Sequence, residues 1–208
     1  MADHTPVRIS SLEANRLADM YGVMQDLEWL IALCERILRY RARGPRPDSI
    51  EMEALEGAAL IRYGRCFSGG MRTAFVLDAQ WIAKLPPELQ AAHLDFKALR
   101  DKHVAHSIND WELNTTIAYL RRDATTGERQ VSSVSVQSKR IIGLTSESTA
   151  QLKQLAESLL QLIRIESKIE TKRVLAIAKQ IPIAELEAKL LEPETRTGVR
   201  QLDKSRGR

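Results

Sequence analysis

The sequence predicts an all-α fold, an antiparallel bundle of four to five helices with a β-hairpin inserted between the third and fourth long helices. Three observations predict it. Hydrophobic residues make up 44% of the 208 residues but aromatic residues only 5%, which favours a helical core of aliphatic side chains. Apolar residues recur at steps of three and four over long stretches, as on one face of a helix. Over residues 112–136 that period gives way to β-branched residues around a turn.

The first two helices are predicted from their apolar pattern and from the break between them. The first covers residues 11–41, and Gly44 can end it. Its apolar stripe has the alternating steps of a long helix that packs at a shallow angle. The stripe consists of Leu17, Met20, Met24, Leu27, Ile31, Cys34 and Leu38. Asp48 or Ser49 can cap the second helix, which covers residues 50–67 and ends at a glycine pair.

A third long helix is predicted after a less regular segment. The segment MRTAFVLDAQWIAKL is expected to continue as helix. Pro86, Pro87 and Glu88 then start the third long helix, because proline suits a first turn and an acid is favourable near the positive end of the helix dipole. This helix is expected to end near residues 107–109.

The C-terminal half is predicted to form the hairpin and a fourth long helix. TTIAYL and VSSVSV are rich in β-branched residues, and RRDATTGERQ between them has turn chemistry. Thr145 or Ser146 can cap the fourth helix, which is expected to reach Ala178. Its stripe consists of Leu152, Leu155, Leu159 and Ile163. Pro182 begins a short final helix, and Pro193 ends it.

These elements divide the chain into a flexible N-terminus over residues 1–10, the bundle over 11–178 with its hairpin insertion at 109–142, a short helix over 179–192 and a basic, mobile tail over 193–208. The net charge is +4, and most of it comes from the tail. A mildly basic chain permits contact with nucleic acid without establishing it. The tail can contact RNA phosphates or simply aid solubility.

The cysteines and the ends of the chain indicate where the protein works. Cys34 and Cys66 lie inside apolar helical patterns, as small buried side chains do. No disulfide framework or C-x-x-C pair is present. No apolar signal core begins the sequence, and no apolar run is long enough to span a membrane. We therefore expect a cytoplasmic protein with no membrane partner.

The residues with the most chemical potential lie in ALRDKHVAH, residues 98–106. On a helical wheel at about 100° per residue, His103 falls in the core-facing stripe, while Arg100 and His106 lie on opposite margins roughly 120° apart. A packed, hydrogen-bonded core histidine is thus the favoured interpretation of His103. From the residues alone, a solvated helix face remains a better-supported interpretation of this segment than an active site.

The functional alternative is cleavage of RNA without a metal or cofactor. An imidazole near its pKa can take the proton from a ribose 2′-hydroxyl, which then attacks the neighbouring phosphorus. A guanidinium can stabilise the charge that develops on the phosphoryl oxygens. Because Arg100 and His106 diverge on one helix, we expect a symmetric homodimer to bring two copies of each into one cleft.

The same segment resembles the signature of the HEPN superfamily: an arginine, a polar residue, three to five further residues and a histidine. Arg100, Asp101 and His106 fill those places, and LIRYGRCFSGGMR upstream is similar to the abortive-infection branch of bacteria and their phages. The resemblance covers residues 11–178. It implies a helical bundle and a dimeric, metal-independent endoribonuclease of toxin or phage-defence systems, although many members are inactive binding modules.

The resemblance also implies roles for individual residues. Arg100 and His106 are the expected catalytic pair, and Asp101 is the polar residue that positions or tunes them. An antitoxin or a nucleotidyltransferase is an implied partner. Some toxins of this family carry a modified tyrosine two residues after the histidine, but this chain has Ile108 there, which argues against control at that position.

Other interpretations of these residues stay open. His103 and His106 could ligate a metal, but no acid or cysteine at matching spacing joins them, so no metal is expected. Arg62, Arg65 and Lys102 could contact RNA, although salt-bridged or solvated side chains are the commoner case. An inactive module that binds a nucleotide, RNA or protein is the alternative function, and a purely structural bundle is the third.

Overall fold

A computed structural model describes residues 5–44, 49–101, 112–123, 127–140 and 143–190. The helices are α1 (Leu12–Ala42), α2 (Ser49–Arg65), α3 (Ala79–Ile82), α4 (Pro87–Leu99), α5 (Ser146–Ala178) and α6 (Ile183–Glu187). The strands β1 (Glu112–Arg122) and β2 (Arg129–Arg140) form an antiparallel pair between α4 and α5 in the chain. The expectation of a mostly helical chain with a small antiparallel hairpin is confirmed.

Helices α1 and α5 form the longest packed pair, and α2 and α4 pack beside them around one apolar core. Thr145 caps α5 by accepting a hydrogen bond from the Ser148 amide at 3.0 Å. The four apolar residues predicted to line α5 are all completely buried: Leu152, Leu155, Leu159 and Ile163. Each such side chain contributes about 1.5–3 kcal/mol when it leaves water. The predicted end at Ala178 is also confirmed.

The buried face of α1 differs from the predicted stripe. Three predicted residues are buried, but Leu17, Met24, Ile31 and Leu38 are only half-buried at its margins. The completely buried apolar positions are Met20, Val23, Leu27, Leu30, Cys34 and Ile37. Both sets step by three and four, so the period alone does not choose between them. Asp26 is also completely buried, and the arginines that pair with it bring its side of α1 inward.

The expectation of helix over residues 71–85 is wrong except at α3. The chain there runs irregularly because its amide groups bind α1 rather than one another: the Asp19 carboxylate accepts hydrogen bonds from the amides of Ala74 and Phe75 at 2.8 and 3.2 Å. Arg72 ties the same loop to the Gly22 carbonyl at 2.9 Å. Only at Asp78, which caps α3, does one helical turn form.

The hairpin has one apolar face that no helix covers extensively. Cross-strand neighbours place Leu120 opposite Val131, Ala118 opposite Val134 and Thr116 opposite Val136, with an irregularity after Tyr119. The four larger apolar side chains on this face are 58–64% exposed: Leu120, Val131, Val134 and Val136. The hairpin is therefore an amphipathic ribbon whose two strands pack mainly against each other.

The ends of the described chain meet. Val7 forms an isolated antiparallel bridge with Leu190, and the Arg8 amide donates to the Lys189 carbonyl at 2.9 Å. The segment before α1 is thus held against the end of α6. The basic tail over 193–208 lies outside the described residues. In the part of the chain that the structure describes, no helix combines the length and apolar character needed to cross a membrane.

Candidate functional site

The structure brings Arg100 and Asp101 together at the end of α4. Both continue the helix with a wider, π-helical turn, a feature that occurs frequently at functional sites. Arg100 Nη1 donates to Asp101 Oδ1 at 2.7 Å, and the two side chains are 33% and 48% exposed. The arginine is therefore positioned by its neighbour and still reaches solvent, as a phosphate-binding guanidinium must.

A glycine of α2 makes room for Arg100. A Cβ added to Gly64 would lie 2.5 Å from Arg100 Nε and 3.0 Å from its Cδ. The stem of the arginine thus lies against α2 at a position that has no side chain. Any larger residue at 64 would displace Arg100, since a side-chain Cβ does not approach a non-bonded atom this closely.

The remaining motif residues, Lys102, His103 and His106, lie outside the described residues, as do Ser107 and Ile108. The structure therefore places the arginine and the aspartate of the expected site, and the pairing of Arg100 with His106 stays a prediction.

A buried histidine on the same face of α4 escaped the sequence analysis. His93 is 8% exposed, and its Nδ1 lies 2.6 Å from the Tyr63 hydroxyl of α2. Burial, and then the nearby charge of Lys97, lower the pKa of His93. His93 precedes Arg100 by seven residues, about two helical turns. The spacing was visible in the sequence, but nothing there identified Tyr63 as the partner. This contact fixes α4 on α2 and so sets the place of Arg100.

Arg62 and Arg65, the possible RNA contacts, converge with Arg72 on one carboxylate of α1. Arg62 Nη1 lies 2.6 Å from Asp26 Oδ1, while Arg72 Nη2 and Arg65 Nε lie 2.5 and 3.3 Å from Oδ2. Burial alone would raise the pKa of Asp26, but the hydrogen bonds and charges of the arginines outweigh it and lower that pKa. Asp26 is not among the residues that the sequence predicts to be functional, because a buried acid inside an apolar stripe cannot be recognised without its partners.

A polar cavity of about 440 Å³ lies beside the loop after α2, lined in part by Arg16, Arg72, Phe75, Trp81 and Lys84. Arg16 Cζ lies 5.2 Å from the centroid of the Phe75 ring, and Lys84 Nζ lies 4.2 Å from that of Trp81. The cations thus already cover both rings. None of the described residues of the predicted site lines this cavity, so it does not extend that site.

The described residues contain no cluster of three or more histidine, cysteine, aspartate or glutamate side chains that could hold a metal ion. No family model, curated protein or solved structure matches the chain. The geometry of the site is therefore the basis for any functional proposal.

Proposed function

We propose that this protein is a metal-independent endoribonuclease of the HEPN type that acts in the cytoplasm as a toxin or phage-defence component. The observation that carries the proposal is the placement of Arg100. Its side chain is one third exposed at the end of α4, it is held by Asp101 at 2.7 Å, and it crosses Gly64. A guanidinium fixed at its stem and open at its end suits bidentate binding of a phosphate.

The proposed reaction divides its work between two side chains. His106 removes the proton from a ribose 2′-hydroxyl, and the oxygen forms a bond to the adjacent phosphorus. Arg100 stabilises the negative charge on the phosphoryl oxygens. The bond from phosphorus to the 5′-oxygen breaks, which leaves a 2′,3′-cyclic phosphate and a 5′-hydroxyl that receives a proton from an imidazolium or from water. Asp101 positions Arg100, and DNA does not react because it lacks the nucleophile.

The proposed architecture supplies the second copy of each catalytic group. It is a bundle of four to five helices, with the hairpin as an insertion after the motif helix, that pairs as a homodimer through the motif helices. Arg100 and His106 of both chains then share one cleft. An antitoxin or a nucleotidyltransferase would restrain the activity. RNA is the substrate, and no cofactor takes part.

The test is cleavage of single-stranded RNA in EDTA by wild type, His106→Ala and Arg100→Ala. Wild type is expected to cut RNA and leave the matching DNA intact. Loss of the arginine is expected to lower the rate roughly 10²–10³-fold, as loss of one charge-stabilising donor does. Gly57→Ala is the matched control, because a Cβ at Gly57 of α2 would meet nothing within 4 Å. Absence of cleavage by wild type, or equal cleavage by His106→Ala, refutes the proposal.

The alternative function is a non-catalytic module that binds RNA, a nucleotide or a protein. The observation that favours it is the partly exposed arginine pair Arg62 and Arg65, whose side chains are 34% and 53% exposed. It predicts binding without strand scission, and binding that His106→Ala leaves unchanged.

A further inference from the structure

The arginine cluster on α1 and α2 carries more positive charge than its carboxylate neutralises. Three guanidiniums lie within 3.3 Å of the Asp26 oxygens, so the group has an excess of two positive charges. One or two arginines are enough to compensate a buried carboxylate. The excess therefore needs either solvent or an anion.

The three arginines are not equivalent. Arg72 is 15% exposed and also donates to the carbonyl oxygens of Gly22 and Arg65, at 2.9 and 3.1 Å. Its role is to hold the loop after α2. Arg65 Nε lies 3.3 Å from Asp26 Oδ2, and 53% of the Arg65 side chain is exposed. Arg62 uses only Nη1 on Asp26. Arg62 and Arg65 thus keep donors that face solvent, with their stems already fixed.

An exposed indole lies beside these donors. Trp29 follows Asp26 on α1 by three residues, which places both on neighbouring positions of one helix face. Arg62 Cζ lies 5.6 Å from the centroid of the Trp29 ring and covers one face of it. The indole is still 59% exposed, so a base would stack on the part of the ring that Arg62 leaves in solvent. An exposed aromatic side chain provides a surface on which a base can stack, and the neighbouring arginines provide donors for a phosphate. Proteins bind single-stranded nucleic acids with this combination.

We propose that Trp29, Arg62 and Arg65 bind one nucleotide unit of single-stranded RNA, with the base stacked on Trp29 and its phosphate between the two arginines. Asp26 and Arg72 position the donors and do not touch the ligand. An acidic peptide would use the arginines but would leave the indole without a role, so RNA fits the surface better. Arg65 directly follows Gly64, the residue that Arg100 contacts, in α2.

This inference rests on the proposed function in taking RNA as the ligand, but it does not require cleavage. The probe is therefore a fluorescent single-stranded 2′-O-methyl RNA, whose 2′-oxygen cannot attack. Polarisation measures its binding to full-length wild type, Trp29→Ala and Arg65→Ala at several salt concentrations. Both side chains are more than half exposed, so both variants are expected to fold, and circular dichroism checks that they do.

The expected result is a Kd about 5- to 140-fold weaker for Trp29→Ala, the range that stacking of one base on an aromatic ring provides. Arg65→Ala is expected to lower the slope of log K against log salt by about 0.7, as the loss of one phosphate contact to a single strand does. Tyr21→Ala and Arg164→Ala are the matched controls, at 51% and 54% exposure, and both are expected to bind as wild type does.

Three results would overturn the inference: no binding by wild type, unchanged binding by both site variants, or equal weakening by Arg164→Ala, which would indicate unspecific charge. Competition by polyglutamate that equals competition by RNA would also overturn it in favour of an acidic protein partner. Cleavage that depends on His106 together with unchanged binding by the site variants would leave the proposed function intact and reject this surface alone.

Discussion

Two glycines of α2 allow the placement of Arg100 to be tested without changing any charge. A Cβ at Gly57 would meet nothing within 4 Å, while a Cβ at Gly64 would lie 2.5 Å from Arg100 Nε. Replacing glycine by alanine inside a helix stabilises the folded state by about 0.5–1 kcal/mol. Gly57→Ala should show this gain in full, because nothing has to move.

Gly64→Ala should lose that gain to the displaced arginine. Arg100 would have to leave its rotamer, at about 0.5–1.5 kcal/mol, and would give up a partly exposed ion pair with Asp101 that contributes about 0.2–1 kcal/mol. The two variants should therefore differ by about 0.7–2.5 kcal/mol in the free energy of unfolding. For a chain of this size, 1 kcal/mol corresponds to about 2–4 °C in Tm.

The assay is urea unfolding followed by circular dichroism, with each variant made in wild type and in an Arg100→Ala background. The cost of Gly64→Ala should disappear once Arg100 is absent, while the gain from Gly57→Ala should be the same in both backgrounds. A double-mutant cycle of this kind isolates the contact. Equal stabilisation by the two alanines in wild type, or an unchanged Gly64→Ala effect in the Arg100→Ala background, would refute the contact.

Three further predictions follow from buried groups. Because the folded-state pKa of His93 is lowered by burial and by Lys97, its contribution to stability should be complete above its unfolded pKa of about 6.5 and be lost as the pH falls below that value. The urea midpoint of wild type should therefore drop more than that of His93→Gln between pH 8 and 5. Burial raises the pKa of Cys34 and of Cys66 to about 12. Iodoacetamide at neutral pH should therefore label neither thiol until urea unfolds the chain. Rapid labelling of the native protein would contradict the burial of the thiols. Asp26→Asn removes the anion that the mostly buried guanidinium of Arg72 binds, and it should destabilise the fold by roughly 1.5–3 kcal/mol. Calorimetry would measure this loss as a lower Tm, and an unchanged Tm would contradict a structural role of the cluster.

The sequence predicted best where one local rule decides the structure. Thr145 and the stripe through Ile163 defined α5, since a capping residue and an apolar period point to the same helix. On α1 the same rule allowed two apolar stripes, which share three residues and differ by one position at the others. The choice between them depended on the pairing of Asp26 with arginines from α2 and the following loop. Partners that are distant in the chain are invisible to a local period.

The candidate site shows the same division. The motif led to Arg100 and Asp101, which the structure brings into contact. Two features position Arg100: the missing side chain at Gly64 and the contact of His93 with Tyr63. Both depend on how α2 packs against α4. Neither helix alone contains that information, so these residues could be found only from the fold.

The exposed hairpin should differ from the helices in how fast its amide hydrogens exchange with solvent. Its strands hydrogen-bond to each other, but their apolar face has no core beneath it, and an isolated two-stranded ribbon is only marginally stable in water. Its amides should exchange with deuterium long before those of α1 and α5. We expect the amides of these two helices, which pack against each other in the core, to exchange mainly through global unfolding. A partner that covers the ribbon would therefore reveal itself as slowed exchange at Leu120 and Val134, even where the helices show no change.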